Sequence, residues 1–160
     1  MKAEQLMKQP VRTCQPEDSL DAASQLMWET DCGCLPVVDS DGRAIAMITD
    51  RDICMAAHFQ GGPLRALKVR TAMSKTLNAC KPSDSVSACE DTMRSHQVRR
   101  LPVVDESGRV KGIISLNDVA LEAEAEAPRA AKEITLGEVG GTLGAICRHH
   151  PAAVALSAAV

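Results

Sequence analysis

Two stretches of the chain, Met7 to Ile53 and Met73 to Val119, are ungapped copies of one pattern, each position matching its partner 66 further along. The sharpest match sets Leu35-Pro36-Val37-Val38-Asp39 against Leu101-Pro102-Val103-Val104-Asp105. Without any insertion, Cys14 aligns with Cys80, Pro16 with Pro82, Asp18-Ser19 with Asp84-Ser85, Gly42-Arg43 with Gly108-Arg109, and Asp52 with Asp118. A duplication this long dictates the architecture, because each copy is one supersecondary unit that must find its neighbour in space. Neither copy is large enough to bury a good core alone, so the halves are expected to pack together. A ligand then belongs in the cleft between them, which equivalent residues line twice.

The core of such a pair must be aliphatic. Apolar residues make up 45% of the chain but aromatics only 1%, Trp28 and Phe59 alone. A bound base would therefore be held between Val, Ile, Leu and Met side chains rather than stacked on rings. A net charge of −3 without a basic run argues against a nucleic-acid partner. No apolar segment follows Met1-Lys2-Ala3-Glu4, and the apolar close of the chain is too short to span a bilayer, so no membrane partner and a cytoplasmic location are expected. Seven cysteines without a C-x-x-C spacing fit free thiols in a reducing compartment.

Each copy reads as strand, helix, strand, strand, helix. Val11 to Cys14 and Leu77 to Cys80 are expected as short first strands, and Asp18 and Asp84 as helix N-caps. The stripes Leu20, Ala23, Met27 and Val86, Cys89, Met93 have the spacing of a buried helix face. The Leu-Pro-Val-Val segments follow as strands, then turns at Gly42 and Gly108, return strands from Ala44 and Val110, and helices starting at Thr49 and Ser115. Thr135-Leu136-Gly137-Glu138 has capping-box spacing and predicts a further helix with Val139, Leu143 and Ile146 on its apolar side. Gly140, Gly141 and Gly144 weaken that helix but permit close approach to the module or to a partner, and the chain from Arg148 onward is expected to be loose. The reading is a first repeat over 5–58, a connector over 59–72, a second repeat over 73–124 and a C-terminal helix and tail over 125–160. The class is α/β, more narrowly α+β: two β-α-β-β-α repeats in pseudo-twofold packing with a C-terminal helical tail.

The doubled Leu-Pro-Val-Val-Asp, the turn glycine, and Thr49-Asp50-Arg51-Asp52 with Ser115-Leu116-Asn117-Asp118 resemble tandem CBS domains, the pair called a Bateman module. The resemblance spans roughly residues 5 to 122. It implies a non-catalytic regulatory module that binds adenosine-containing ligands (AMP, ADP, ATP or S-adenosylmethionine) in clefts between the repeats, with no required cofactor. It also implies a homodimer. With no effector domain evident, a protein effector would act in trans.

An isolated Thr-x-x-Asp is a capping box. Here the motif ends an apolar strand in both copies, so Asp52 and Asp118 could also accept from vicinal ribose hydroxyls, as acidic residues do in dinucleotide folds. The adjacent helix N-termini could meet phosphate. Carried over from the family, site one combines Thr49, Arg51, Asp52, Arg70, Leu77, Asn78, Val98 and Arg100. Site two combines Val11, Arg12, Cys32, Cys34, Ser115, Asn117 and Asp118. Because Cys34 stands where site one has Arg100, site one is expected to be the better nucleotide site. Two features oppose it: Ala46 replaces the glycine found at Gly112, where its methyl could crowd the cleft, and Asp50 adds a negative charge beside Thr49. A thiol-based metal or redox sensor is the rival reading, built on Cys32 and Cys34 with Cys14, Cys80 or the pair His149 and His150. A ligand-free structural dimer or adaptor is the third. No nucleophile and base come together in the sequence pattern to suggest catalysis.

Overall fold

The computed structural model describes residues 1–126, 131 and 133–148. Repeat one contains α2 (Leu20–Glu29), β1 (Cys34–Val38), β2 (Ala44–Thr49) and α3 (Asp50–Gln60). Repeat two presents the same order as α4 (Val86–His96), β3 (Arg100–Val104), β4 (Val110–Ser115) and α5 (Leu116–Glu126). A short α1 (Ala3–Leu6) precedes them and α6 (Leu136–Ile146) follows. Mixed helices and small antiparallel sheets make the expected class.

The two hairpins are built alike. Cys34 lies opposite Thr49 and Leu35 opposite Ile48, with a bulge between Val37 and Val38. Arg100 lies opposite Ser115 and Leu101 opposite Ile114, with a bulge between Val103 and Val104. Gly42 and Gly108 close the turns with φ of 78° and 82°, a region that costs a glycine little. The two turns touch: Ala44 N–H donates to Gly108 O at 2.9 Å, and Arg43 faces its own counterpart Arg109 across the pseudo-twofold axis.

The first strands shrink to single residues. Cys14 forms one parallel bridge to Val37, and Cys80 one to Val103. Cys14 N–H donates to Pro36 O at 3.1 Å and its carbonyl accepts from Val38 N–H at 2.9 Å. The next donors along this ladder would be the nitrogens of Pro36 and Pro16, and neither carries a hydrogen. Pro102 and Pro82 stop the second copy in the same way. The helix caps also differ from expectation. Ser19 and Ser85, not Asp18 and Asp84, accept from the third residue on, Ala22 and Ala88, both at 3.1 Å. The aspartates instead close the preceding turns, accepting from Gln15 and Lys81 N–H at 2.7 Å.

Each repeat is completed by the segment that precedes the other. Ala3 N–H donates to Asp84 O and Glu4 N–H to Pro82 O, while Val86 N–H donates to Met1 O. Displaced by 66 positions, Val69 N–H donates to Asp18 O, Arg70 N–H to Pro16 O, and Leu20 N–H to Leu67 O. Ala3 and Leu6 are thus buried among Cys80, Val86, Met93, Leu101 and Ile114. Val69 is buried among Leu20, Met27, Leu35 and Ile48, with Leu67 and Met73 packed alongside. There are accordingly two cores, one per repeat, and each contains an arm from beyond its own copy. The connector's Val69 packs into the core of repeat one.

Beside the first arm sits Gly112. A Cβ there would lie 2.5 Å from Met7 Sδ and 3.0 Å from Met7 Cβ, so the glycine makes room for the arm. Its counterpart Ala46 points into the repeat-one core, 1% exposed, and its methyl does not crowd a cleft. The capping box of α6 forms as expected, with Thr135 Oγ1 accepting from Glu138 N–H. Its buried side carries Val139 and Thr142, whereas Leu143 is exposed. Nothing in the described residues lies near Gly140, Gly141 or Gly144, so these glycines make no close approach within the chain. Instead α6 docks on α4 by setting the Thr142 hydroxyl 2.9 Å from Glu90 Oε1. Of the tail expected to be loose from Arg148 onward, Arg148 itself is held, its carbonyl accepting from Gln97 Nε2 at 2.7 Å, and residues 149–160 lie outside the described residues.

Two outcomes follow from these contacts. Gly112→Ala should cost about 1–3 kcal/mol of stability, as overpacking does, read by chemical denaturation. Burial raises the Glu90 carboxyl above its ordinary range, opposed in part by Thr142 and Arg94. The folded state therefore holds its proton to higher pH than the unfolded chain, and stability should fall as pH rises through the raised value. Glu90→Gln should flatten that slope in thermal melts taken between acidic and neutral pH.

Candidate functional site

Two clefts lie between the repeats, related by the pseudo-twofold axis. The larger, about 450 Å3, is lined by Val11, Arg12, Cys32, Cys34, Ser115, Asn117 and Asp118, all seven residues assigned to site two. The smaller, about 270 Å3, is lined by Thr49, Arg51, Asn78, Val98 and Arg100 of site one. Asp52, Arg70 and Leu77 are absent from its wall. Arg70 turns instead to Glu17, with Nη1 3.3 Å from Oε1. The difference in size follows from the side chains, since Cys32 and Gly33 in the larger cleft correspond to Val98 and Arg99 in the smaller.

Both Ser/Thr-x-x-Asp motifs are capping boxes. Asp118 Oδ2 accepts from Ser115 N–H at 2.9 Å and from Ser115 Oγ at 2.5 Å, and Ser115 Oγ accepts from Asp118 N–H at 3.3 Å. Thr49 and Asp52 repeat this with 2.9, 2.7 and 3.2 Å. The cap consumes one carboxylate oxygen. The other oxygen of Asp118 has Lys8 Nζ at 3.9 Å, and the side chain is 11% exposed. A half-buried carboxylate edge with a nearby cation can accept hydroxyl hydrogens that have little water to compete with.

Lys8, Arg12 and Arg100 bring positive charge to this larger cleft. Lys8 was not legible as a site residue. It reaches the cleft because the first arm pairs with β4, Lys8 N–H donating to Ile113 O at 2.8 Å and the Lys8 carbonyl accepting from Ile113 N–H at 3.2 Å. Pro10, Thr30, Asp31, Gly33, Leu35 and Ile113 complete the wall. In the smaller cleft Met47, Asp50, Ser74, Thr76, Gln97 and Arg99 are further members. Symmetry was the available signal: the 66-residue offset carries Lys8 to Ser74, Pro10 to Thr76, Asp31 to Gln97 and Ile113 to Met47.

Arg100 lines both clefts, as does Cys34. They are equivalent positions that meet near the pseudo-twofold axis. A Cβ placed on Gly33 would lie 3.8 Å from Arg100 Nη2 and 3.0 Å from Asp50 Oδ2, so the guanidinium leans across onto repeat one. The preference for site one assumed that only it has this arginine, and the geometry removes that ground.

The buried thiols of Cys14 and Cys34 are poorly disposed for reaction. Burial pushes Cys34 up to about 11, against the opposing pull of Arg100, and Cys14 up to about 12. Cys32 Sγ lies 3.3 Å from the Cys34 carbonyl oxygen. Among the described residues no three His, Cys, Asp or Glu side chains gather as a metal would require. The pair His149 and His150 lies outside those residues. Nor is any helix among the described residues long and apolar enough to cross a membrane.

The CBS domain model matches residues 3–58 and 69–124. CBS domain-containing protein YhcV of Bacillus subtilis is 36% identical over 115 residues, 72% of this chain and 80% of that protein. Hypoxic response protein 1 of Mycobacterium tuberculosis is 34% identical over 109 residues, 68% of this chain and 76% of that one. A solved structure of Hypoxic Response Protein I with two coordinated zinc ions superposes with a TM-score of 0.69 at 30% identity, covering 76% of this chain and 98% of the other. The CBS domain pair of MJ0100, solved with 5'-methylthioadenosine and S-adenosyl-L-methionine, gives a TM-score of 0.72 at 21% identity over 79% and 98% of the two chains.

Thiol accessibility and the raised values set an order of reactivity. Iodoacetamide at mildly alkaline pH should label the exposed Cys54 and Cys147 and spare Cys14 and Cys34, as peptide mass mapping would read. Rapid native-state labelling of Cys34 would contradict the burial described.

Proposed function

The chain belongs to the CBS-domain family as a tandem pair, and from that premise we propose that it is a non-catalytic regulatory module for an adenosine-containing ligand. The ligand binds first in the larger cleft. The observation that carries this reading is the wall itself: Asp118 on one side, with Lys8, Arg12 and Arg100 around it. Asp118 accepts from the ribose hydroxyls, the cations meet phosphate, and Val11, Leu35 and Ile113 supply the aliphatic surface for the base. Three cations favour AMP, ADP or ATP over S-adenosylmethionine, whose sulfonium they would repel.

Binding here shifts how the two repeats sit, and the response passes to another protein in trans. A second copy is the first such partner. Repeat two has its helical face covered by α6, whereas the equivalent α2 and α3 face of repeat one leaves Trp28 88% and Phe59 77% exposed. Burying that face in a homodimer supports the regulatory reading, and a cytoplasmic location accords with free thiols.

Calorimetric titration with AMP should give saturable binding, with S-adenosylmethionine weaker. Asp118→Asn should weaken AMP about tenfold, the usual loss when a hydrogen bond forfeits its charged acceptor. No heat with AMP, ADP or ATP at millimolar concentration would end this reading.

A further inference from the structure

We infer that Arg100 is one anion-binding group shared by the two clefts, so that a phosphate held in either weakens phosphate binding in the other. The inference rests on the nucleotide reading above and adds a rule of occupancy to it. Equivalent positions close to a twofold axis reach both of the sites that the axis relates. Here the position carries a guanidinium in one repeat, Arg100, and a thiol in the other, Cys34, and both side chains line both clefts. Two clefts therefore divide one central cation. A guanidinium meets phosphate through a planar fork, and one fork cannot be bidentate to two phosphates at once. A second phosphate would also enter beside the first without a free cation between them.

Among the described residues no ion pair or hydrogen bond commits the Arg100 guanidinium to one side, although its charge acts on the Cys34 thiol. Asp50 and Arg100 both approach Gly33, which has no side chain to keep them apart. Each cleft keeps its own further cations, Lys8 and Arg12 in the larger, Arg51 and Arg99 in the smaller. The second phosphate is thus weakened rather than excluded.

The side-chain amides of Asn117 and Asn78 report the larger and the smaller cleft separately in NMR titrations. AMP should saturate the Asn117 signal first. Weakening the larger cleft with Asp118→Asn lowers its occupancy at a given AMP concentration and should then strengthen AMP at the Asn78 signal by about two- to fivefold, within the usual range of coupling between sites. Adding Arg100→Gln to that variant should abolish the gain. Adenosine, which lacks phosphate, should show no gain in either background, and this arm does not depend on the arginine variant folding. An Asn78 affinity for AMP unchanged by Asp118→Asn, or a gain that persists without Arg100, would overturn the sharing while leaving nucleotide binding intact. If neither amide moves with AMP, the nucleotide reading fails and the sharing with it.

Discussion

The reciprocal exchange of arms is the constraint on which the rest of the structure depends. Each arm donates and accepts backbone hydrogen bonds on the far repeat, and the two sets match within about 0.1 Å: Ala3 to Asp84 at 2.8 Å, for example, and Val69 to Asp18 at 2.9 Å. Removing either arm would strip a core of buried residues and leave several backbone carbonyls and amides unpaired, each a loss of order 1 kcal/mol or more. Each set ties the chain that precedes one repeat to the other repeat. The clefts between the repeats are therefore defined by backbone bonds of the fold, and their walls are in place before a ligand arrives. Such preorganisation lowers the ordering cost of binding.

The pattern of the fold was legible because the copies are ungapped. Two hairpins, four helices and the sense of each apolar face follow from the doubled stretches alone. What escaped is what depends on partners distant in sequence. Ala3 and Val69 look like surface residues of a helix end and a connector until the opposite repeat is present. Asp18-Ser19 offers two cap candidates side by side, and the choice falls to the serine because the preceding turn engages the aspartate. The reduced first strands were readable in principle, since Pro16 and Pro36 delete the two flanking donors of the ladder. At the clefts, residue types were visible but reach was not. Arg100 was assigned to one site because a sequence cannot show that a long side chain near a symmetry axis serves two.

The duplicated halves have diverged where the clefts need it and remain alike where the fold needs it. Pro36 and Pro102, Asp18 and Asp84, Gly42 and Gly108, and both capping aspartates are retained. Around the clefts the pairs differ in charge or bulk: Lys8 against Ser74, Arg12 against Asn78, Gly33 against Arg99, Cys34 against Arg100. The same division marks the outer helical faces, where α6 covers α4 and α5 but leaves α2 and α3 open. One molecule thus presents a wide cleft and a narrow one, and a covered face and an exposed one. Two equal halves would offer neither distinction.

The capping boxes explain how a helix end can serve binding without being weakened by it. In both motifs the hydroxyl and one carboxylate oxygen are spent on the helix, which fixes the aspartate's rotamer through two hydrogen bonds. The remaining oxygen of Asp118 is held in a single direction, toward Lys8 and the larger cleft. A free aspartate would lose rotamer entropy on meeting a hydroxyl, whereas this one has already lost it in folding. Asp52 is capped in the same way, yet it does not line the smaller cleft. The same local chemistry therefore gives a cap in both copies, and the wall around it leaves only Asp118 of the two capping aspartates lining a cleft.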